Sequence, residues 1–177
     1  MASGDRPTVI GEGKHVRLVK RDDWEYASRK GVTGIVVIVA VTDEGNILLV
    51  EQPRIPVDAN VIELPAGLAG DGGNRHETAE AAARRELLEE TGYDAAALEY
   101  LGGGTVSAGI SDELMTVFRA TGLRKVGEPS EPGESITVHE VPLATVATWL
   151  ADRQSAGSLI DLKIYMGLWF ASQPRSG

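Results

Sequence analysis

Glu86, Glu89 and Glu90 stand at i, i+3 and i+4 in an alanine-rich segment that stops at Gly92. A helix through this segment carries all three carboxylates on one face. Like charges at that spacing repel and lower helix stability. A helix that keeps such a cluster usually has a cation to hold, and hard oxygen donors of this kind suit Mg2+ or Mn2+. The plainer alternative is a solvated acidic face, with Ala81 to Ala83 as the buried side of an ordinary amphipathic helix. The three glutamates alone do not decide between the two.

The flanking segments set the fold class. Alternation around Val16 and Leu18 predicts a strand over residues 15–20. Arg21-Asp22-Asp23 reads as a turn and residues 24–30 as a second strand broken by Gly31, together a hairpin. A β-branched strand over 32–42, the turn Asp43-Glu44-Gly45-Asn46 and a returning strand over 47–52 should be central and buried. Residues 53–60 read as a loop with two prolines, and residues 61–64 as a short strand. Asn74 or Thr78 caps the acidic helix, Glu80 suits its first turn and Gly92 its end. Further strands are predicted over 98–101 and 113–121, split by the glycine-rich 102–111, with a polar loop over 123–133 and a strand over 136–141. Two helices follow, over 143–151 and 158–171, the second with an apolar stripe through Leu159, Leu162, Tyr165, Met166 and Trp169. Strands and helices interleave with no repeat and no linker, which points to one α/β domain over residues 1–177.

Charge and composition exclude several function classes. The net charge of -9 argues against a broad nucleic-acid surface. The same field repels a phosphate-bearing substrate, so a divalent metal is needed to bridge the two. With no cysteine there is no disulfide and no thiolate metal site. No apolar run reaches membrane-spanning length, and no basic region followed by a long apolar one marks a signal peptide. The expectation is a cytoplasmic protein with neither a membrane nor a nucleic-acid partner.

The full string is more specific than its glutamates. Arg85, Glu86, Leu87, Glu89, Glu90, Gly92 and Tyr93, with Glu77 eight positions before the arginine, closely resemble the Nudix box of the Nudix hydrolases. The resemblance implies an α/β/α sandwich around a mixed β-sheet with an N-terminal β-hairpin. It also implies metal-dependent cleavage of a nucleoside diphosphate linked to another group. The family usually places five residues between the leading glycine and the first glutamate. Here nine, residues 68–76, separate Gly67 from Glu77, which reads as an insertion within residues 70–74. Loops accept added length cheaply.

Outside the box, from about Gly13 to about Ala171, the chain resembles the ADP-ribose pyrophosphatase branch. Val61-Ile62-Glu63-Leu64-Pro65-Ala66-Gly67-Leu68 matches that branch's approach to the box. In Glu51-Gln52-Pro53-Arg54 a proline replaces the branch's aromatic, and in the loop from Ser107 to Glu113 Ala108 replaces its marker proline. The resemblance implies Mg2+, with Mn2+ as alternative, held by Glu86, Glu89, Glu90 and the Ala66 carbonyl. Arg85 would orient a carboxylate; otherwise it is a surface ion pair of little worth. A base is implied in the loop before the strand at 136–141: Glu134, with Glu131 in reserve. Read by itself, that stretch is a solvated acidic loop. Trp24 and Glu25 would hold the nucleoside base, with His15 where some members have a second aromatic. The alternatives are a Trp24 that fills a sheet or dimer interface and a His15 that is a plain exposed residue. Arg29 and Arg54 would hold phosphate, beside Gly67 of the box loop.

The implied reaction is hydrolysis of ADP-ribose to AMP and ribose 5-phosphate, in a homodimer with residues 1–31 as the dimerising arm and 32–177 as the catalytic core. The rivals are a hydrolase of a GDP- or UDP-hexose and a non-catalytic nucleotide-sensing module. The intact set of carboxylates argues against the last.

Overall fold

The structure, a computed structural model, describes residues 6–130 and 135–174. Strands β1 (Thr8–Glu12), β2 (Val16–Arg21) and β3 (Trp24–Arg29) form a separate antiparallel sheet in that order. The hairpin of the sequence reading is β2 and β3, turning through Asp22 at a φ of 54°. Strand β1 was not foreseen. Every one of its residues is exposed, so it carries no alternation of burial to read.

The body is built on β4 (Gly34–Ala40) and β5 (Asn46–Arg54). The turn between them needs Gly45, which has a φ of +83°. The two strands do not return side by side as expected. After one bridge, Val41 to Ile47, they part into different sheets. One sheet runs β7 (Ala66–Ala69), β4, β9 (Leu114–Lys125), β8 (Tyr93–Thr105). The other runs β10 (Thr137–Pro142), β5, β6 (Ala59–Glu63), β11 (Leu159–Ile160). Within them β4 with β9 and β6 with β11 are parallel, so both sheets are mixed.

Among the described residues there are three α-helices, α1 (Ala79–Thr91), α2 (Val146–Ser155) and α3 (Lys163–Ser172). Alternate side chains of β4 feed two cores, as the strand's period of two requires. Val36 and Ile38 pack with Ala82, Ala83 and Leu87 of α1. Val37 and Val39 pack with Val146 and Leu150 of α2 and Ile164 of α3. The result is the expected helix–sheet–helix sandwich, with both faces of β4 covered. Among the described residues no helix is long and apolar enough to cross a membrane.

Other expectations shift by identifiable causes. Pro53 lies within β5, opposite Asn60, not in a loop. Strand β8 runs through Gly102 to Gly104, where a register shift after Tyr100 absorbs the irregularity. Strand β9 continues to Lys125, into the predicted polar loop. The last helix begins late, because Leu159 and Ile160 add a strand beside β6. Its apolar stripe faces outward: Leu162, Tyr165 and Trp169 are exposed, while Ile164 and Gly167 are buried. Gly167 lets α3 approach Leu64, whose Cδ1 would lie 2.7 Å from an added Cβ.

Candidate active site

The centre of the site is a clasp between α1 and β7. Thr78 caps the helix, its hydroxyl accepting from the Ala81 N–H at 3.1 Å. The last turn ends at Gly92, which has a φ of +74°. Along this helix Ala82, Ala83 and Leu87 are buried in the core, which turns Glu86, Glu89 and Glu90 toward β7 and its loop. The Glu90 carboxylate accepts from the Ala66 N–H at 2.9 Å, and Glu86 accepts from the Leu68 N–H at 3.2 Å. Between these strand residues lies Gly67. A Cβ there would stand 1.9 Å from the Glu86 carboxyl carbon, so only glycine admits the carboxylate.

Arg85 organises the other edge. Its guanidinium donates to Glu77 at 3.0 Å, to Glu86 and Glu89 at 2.8 Å each, and to the Leu68 carbonyl at 3.1 Å. A planar fork of five donors makes such sharing feasible. The bond from Arg85 holds the Glu77 carboxyl below its ordinary range, aided by the Gly70 N–H. Glu77 above all raises the Arg85 guanidinium further. The inserted loop therefore stays tied to the box: Gly70 donates to Glu77 at 3.0 Å.

Glu90 is only 4% exposed. Burial pushes its carboxyl up to about 8, against the pull of the Ala66 N–H, and the charge of Glu86 adds to the rise. Glu63 at the end of β6 is also raised by burial, opposed by Arg54, which it binds at 2.6 Å. These groups line a cavity of about 470 Å³, together with Arg29, Ala66, Gly67, Asp71, Glu113 and Lys163. Arg29 pairs with Glu113 at 2.7 Å. The lining thus combines the α1 carboxylates with cations that are themselves paired to acids.

Among the described residues no three acidic or imidazole side chains converge as a ready-made metal cage. Glu86 and Glu89 are engaged by Arg85, and Glu90 by Ala66. The donor set nevertheless fits a hard divalent cation. It consists of carboxylate oxygens, two of them buried and mutually repulsive, and the Gly67 gap leaves the Glu86 carboxylate against the strand.

The structure gathers Ala66, Gly67, Arg85, Glu86, Glu89, Glu90, Arg29 and Arg54 around one clasp and its cavity. Trp24 and Glu25 on β3 and His15 in the turn between β1 and β2 are exposed and do not line the cavity. Glu131 and Glu134 lie outside the described residues. The segment before them is anchored at the helix end: Ser130 donates to the Glu89 carbonyl at 2.8 Å, and Val126 and Gly127 donate to the Gly92 carbonyl.

Residues 32–160 match the NUDIX domain family. The chain belongs to this family. It is 38% identical over 123 residues to an ADP-ribose pyrophosphatase of Bacillus subtilis (strain 168), covering 68% of this chain and 64% of that one. It is 36% identical over 159 residues to an ADP-ribose pyrophosphatase of Mycobacterium tuberculosis (strain ATCC 25618 / H37Rv), covering 83% and 75%. The chain thus spans just under two thirds of the Bacillus relative's length. A crystal structure of an ADP compounds hydrolase shares the fold at a TM-score of 0.63 and 20% identity, covering 85% of this chain and 86% of that one.

Within the Nudix site, sequence reading gave no role to Glu63, Asp71, Glu113 or Lys163, all of which line the cavity. Glu63 had a visible signal, a lone acid in the apolar run from Val61 to Leu64. Asp71 sits in the inserted loop. Lys163 had none, because it was placed inside a helix that in fact begins with it.

Proposed function

We propose that this Nudix chain hydrolyses the diphosphate bond of ADP-ribose, giving AMP and ribose 5-phosphate. The observation that carries the reading is the cavity that sets the α1 carboxylates against Arg29 and Arg54. A diphosphate bridged to the carboxylates by a divalent cation matches this mixed lining of acids and cations. The names of the two curated relatives support ADP-ribose as the nucleotide.

Glu86, Glu89, Glu90 and the Ala66 carbonyl would hold Mg2+, with Mn2+ as a substitute. When bound, the metal would neutralise charge on the phosphoryl oxygens and lower the pKa of a bound water. Arg85 orients Glu86 and Glu89 through its bonds to both. Arg29 and Arg54 bind the diphosphate by charge-assisted hydrogen bonds. Glu134, with Glu131 in reserve, takes the proton from water. The anchoring of Ser130 at Glu89 supports a base near the carboxylates.

The nucleoside residues Trp24, Glu25 and His15 serve a partner's cavity in this reading. The arm of residues 1–31 exposes Val9, Ile10, Val16, Leu18 and Trp24, which supports a homodimer with residues 32–177 as its catalytic core. The same reading puts the reaction in the cytoplasm.

The test is phosphate-coupled hydrolysis of ADP-ribose beside GDP- and UDP-hexoses, with Mg2+ and with Mn2+, and light scattering for mass. Metal-dependent turnover of ADP-ribose by a dimer is expected. Preference for a hexose nucleotide would replace the substrate, and nucleotide binding without turnover would make the chain a sensor. Trp24→Ala should raise KM about tenfold with little change in kcat, since base–aromatic stacking is worth about 1–3 kcal/mol.

A further inference from the structure

Three cations line the cavity, and each leans on one carboxylate. Arg29 is paired with Glu113 at 2.7 Å and Arg54 with Glu63 at 2.6 Å, while Lys163 contacts Asp161. The third pair is tied to the β6 side of the site. Ile160 pairs with Ile62, the Asp161 N–H donates to the Ile62 carbonyl at 2.9 Å, and Asp161 accepts from the Lys163 N–H at 2.8 Å. These bonds fix the start of α3 beside Glu63, whose carboxyl is raised by burial against the opposing charges of Arg54 and Lys163. The Lys163 side chain is 25% exposed, against the cavity that Glu86 and Glu90 line. An ammonium has three donors, and among the described residues Asp161 is the side chain it is bonded to. A flexible, compact charge of this kind suits a phosphoryl oxygen that the metal leaves uncovered.

We propose that Lys163 is a substrate-binding residue that holds the diphosphate in the cavity that Glu86 and Glu90 also line. The inference rests on reading the cavity as a diphosphate site. Arg29 and Arg54 came from the chain's resemblance to relatives, whereas Lys163 is placed there by the β6–β11 pairing alone. Its role is to bind and orient, so its loss weakens affinity and leaves the chemical step.

The experiment compares native chain, Lys163→Met, Lys163→Gln and Lys163→Arg. Affinity for inorganic pyrophosphate is measured by calorimetry in EDTA and again with Mg2+, alongside KM and kcat for ADP-ribose. Thermal unfolding confirms that each variant folds, and the Gln variant keeps a polar side chain should the Met variant fail. Lys163→Met and Lys163→Gln should weaken pyrophosphate binding and raise KM about tenfold, the loss of one hydrogen bond to a charged group, with kcat within about twofold. Lys163→Arg should recover most of the loss. Unchanged pyrophosphate affinity in both neutral variants overturns the inference, as does a native chain that binds no pyrophosphate under either condition. Lysine-dependent pyrophosphate binding without ADP-ribose turnover would sink the proposed substrate and leave this inference standing. Normal turnover with an unchanged KM in the variants would sink this inference alone.

Discussion

Glu90 and Glu51 are two largely buried glutamates on opposite sides of one sandwich, and their surroundings move them in opposite directions. Glu90 faces α1's clasp, where burial raises its carboxyl to about 8 despite a bond from Ala66. Glu51 shares the other face of β5 with Ile47 and Leu49. Its oxygens accept from Ser158 at 2.8 Å and meet His139 at 2.9 Å. Burial works against its charge too, but the bonds from Ser158 and His139 outweigh it and hold the carboxyl below its ordinary value. His139 is packed edge-on against Trp149 of α2, so the group ties β5, β10, α2 and the entry to β11 together. The same side chain is thus fully compensated in one place and under-compensated in the other. An under-compensated buried acid costs stability unless something positive joins it. The difference separates a carboxylate whose charge the fold satisfies from one whose charge it leaves unsatisfied.

Glu90→Gln tests that separation most strongly. Turnover should fall about a thousandfold, because several kcal/mol of charge stabilisation depend on the bound metal. Stability in EDTA should stay level or rise, since a carboxyl that burial raises to about 8 gains little from its charge without a cation. Added Mg2+ should raise the melting temperature of the native chain and leave the variant's unmoved, as binding to the folded state alone requires. A melting temperature that drops in EDTA would make Glu90 a structural residue like Glu51.

Gly67→Ala attacks the clasp without touching any charge. The added methyl would stand 1.9 Å from the Glu86 carboxyl carbon, so α1 and β7 must part or Glu86 must turn away. Overpacking of this kind costs about 1–3 kcal/mol, and the displaced Glu86 should lower turnover as well. Gly104→Ala is the control, with nothing within 4 Å of its added Cβ. Equal effects at the two glycines would mean that the close approach is not what holds the site.

These contrasts also explain what was legible in the sequence. The acidic helix α1 was readable because its signal is local: cap, period, carboxylate spacing and terminal glycine all fall between Thr78 and Gly92. The layered α/β class followed from the interleaving of strands and helices and the sandwich from the family resemblance, yet the divergence of β4 and β5 into two sheets was not visible, because pairing partners lie far apart in the chain. Strand β11 and the outward stripe of α3 were missed for the same reason. Leu159 and Ile160 look helical until β6 supplies a partner, and α3 turns its small residue Gly167, not its largest ones, toward Leu64. Lys163 entered the site through that tertiary pairing. Glu51 was noticed only as part of a motif, since its partners are 88 and 107 positions away.

The smallest effect belongs to Glu51→Gln, and its pH dependence is the sharpest check on the comparison. The folded carboxyl titrates below its unfolded value of 4.5. Its charge therefore stabilises the fold above that value, and the contribution disappears as pH falls through the folded pKa. Near pH 7 the variant should lose about 1–2 kcal/mol, the worth of hydrogen bonds to a charged group. For a chain of this size that is a few degrees of melting temperature. As pH falls through the folded pKa, which lies below the ordinary carboxylate value, the gap to the native chain should close, because both then carry a neutral side chain. Turnover at pH 7 should be unchanged, since Glu51 lies on the face away from the clasp. A gap that persists unchanged into acid would mean that shape, not charge, holds Glu51 in place. The two glutamates would then differ in packing alone, and the opposite shifts would carry no information about which one awaits a cation.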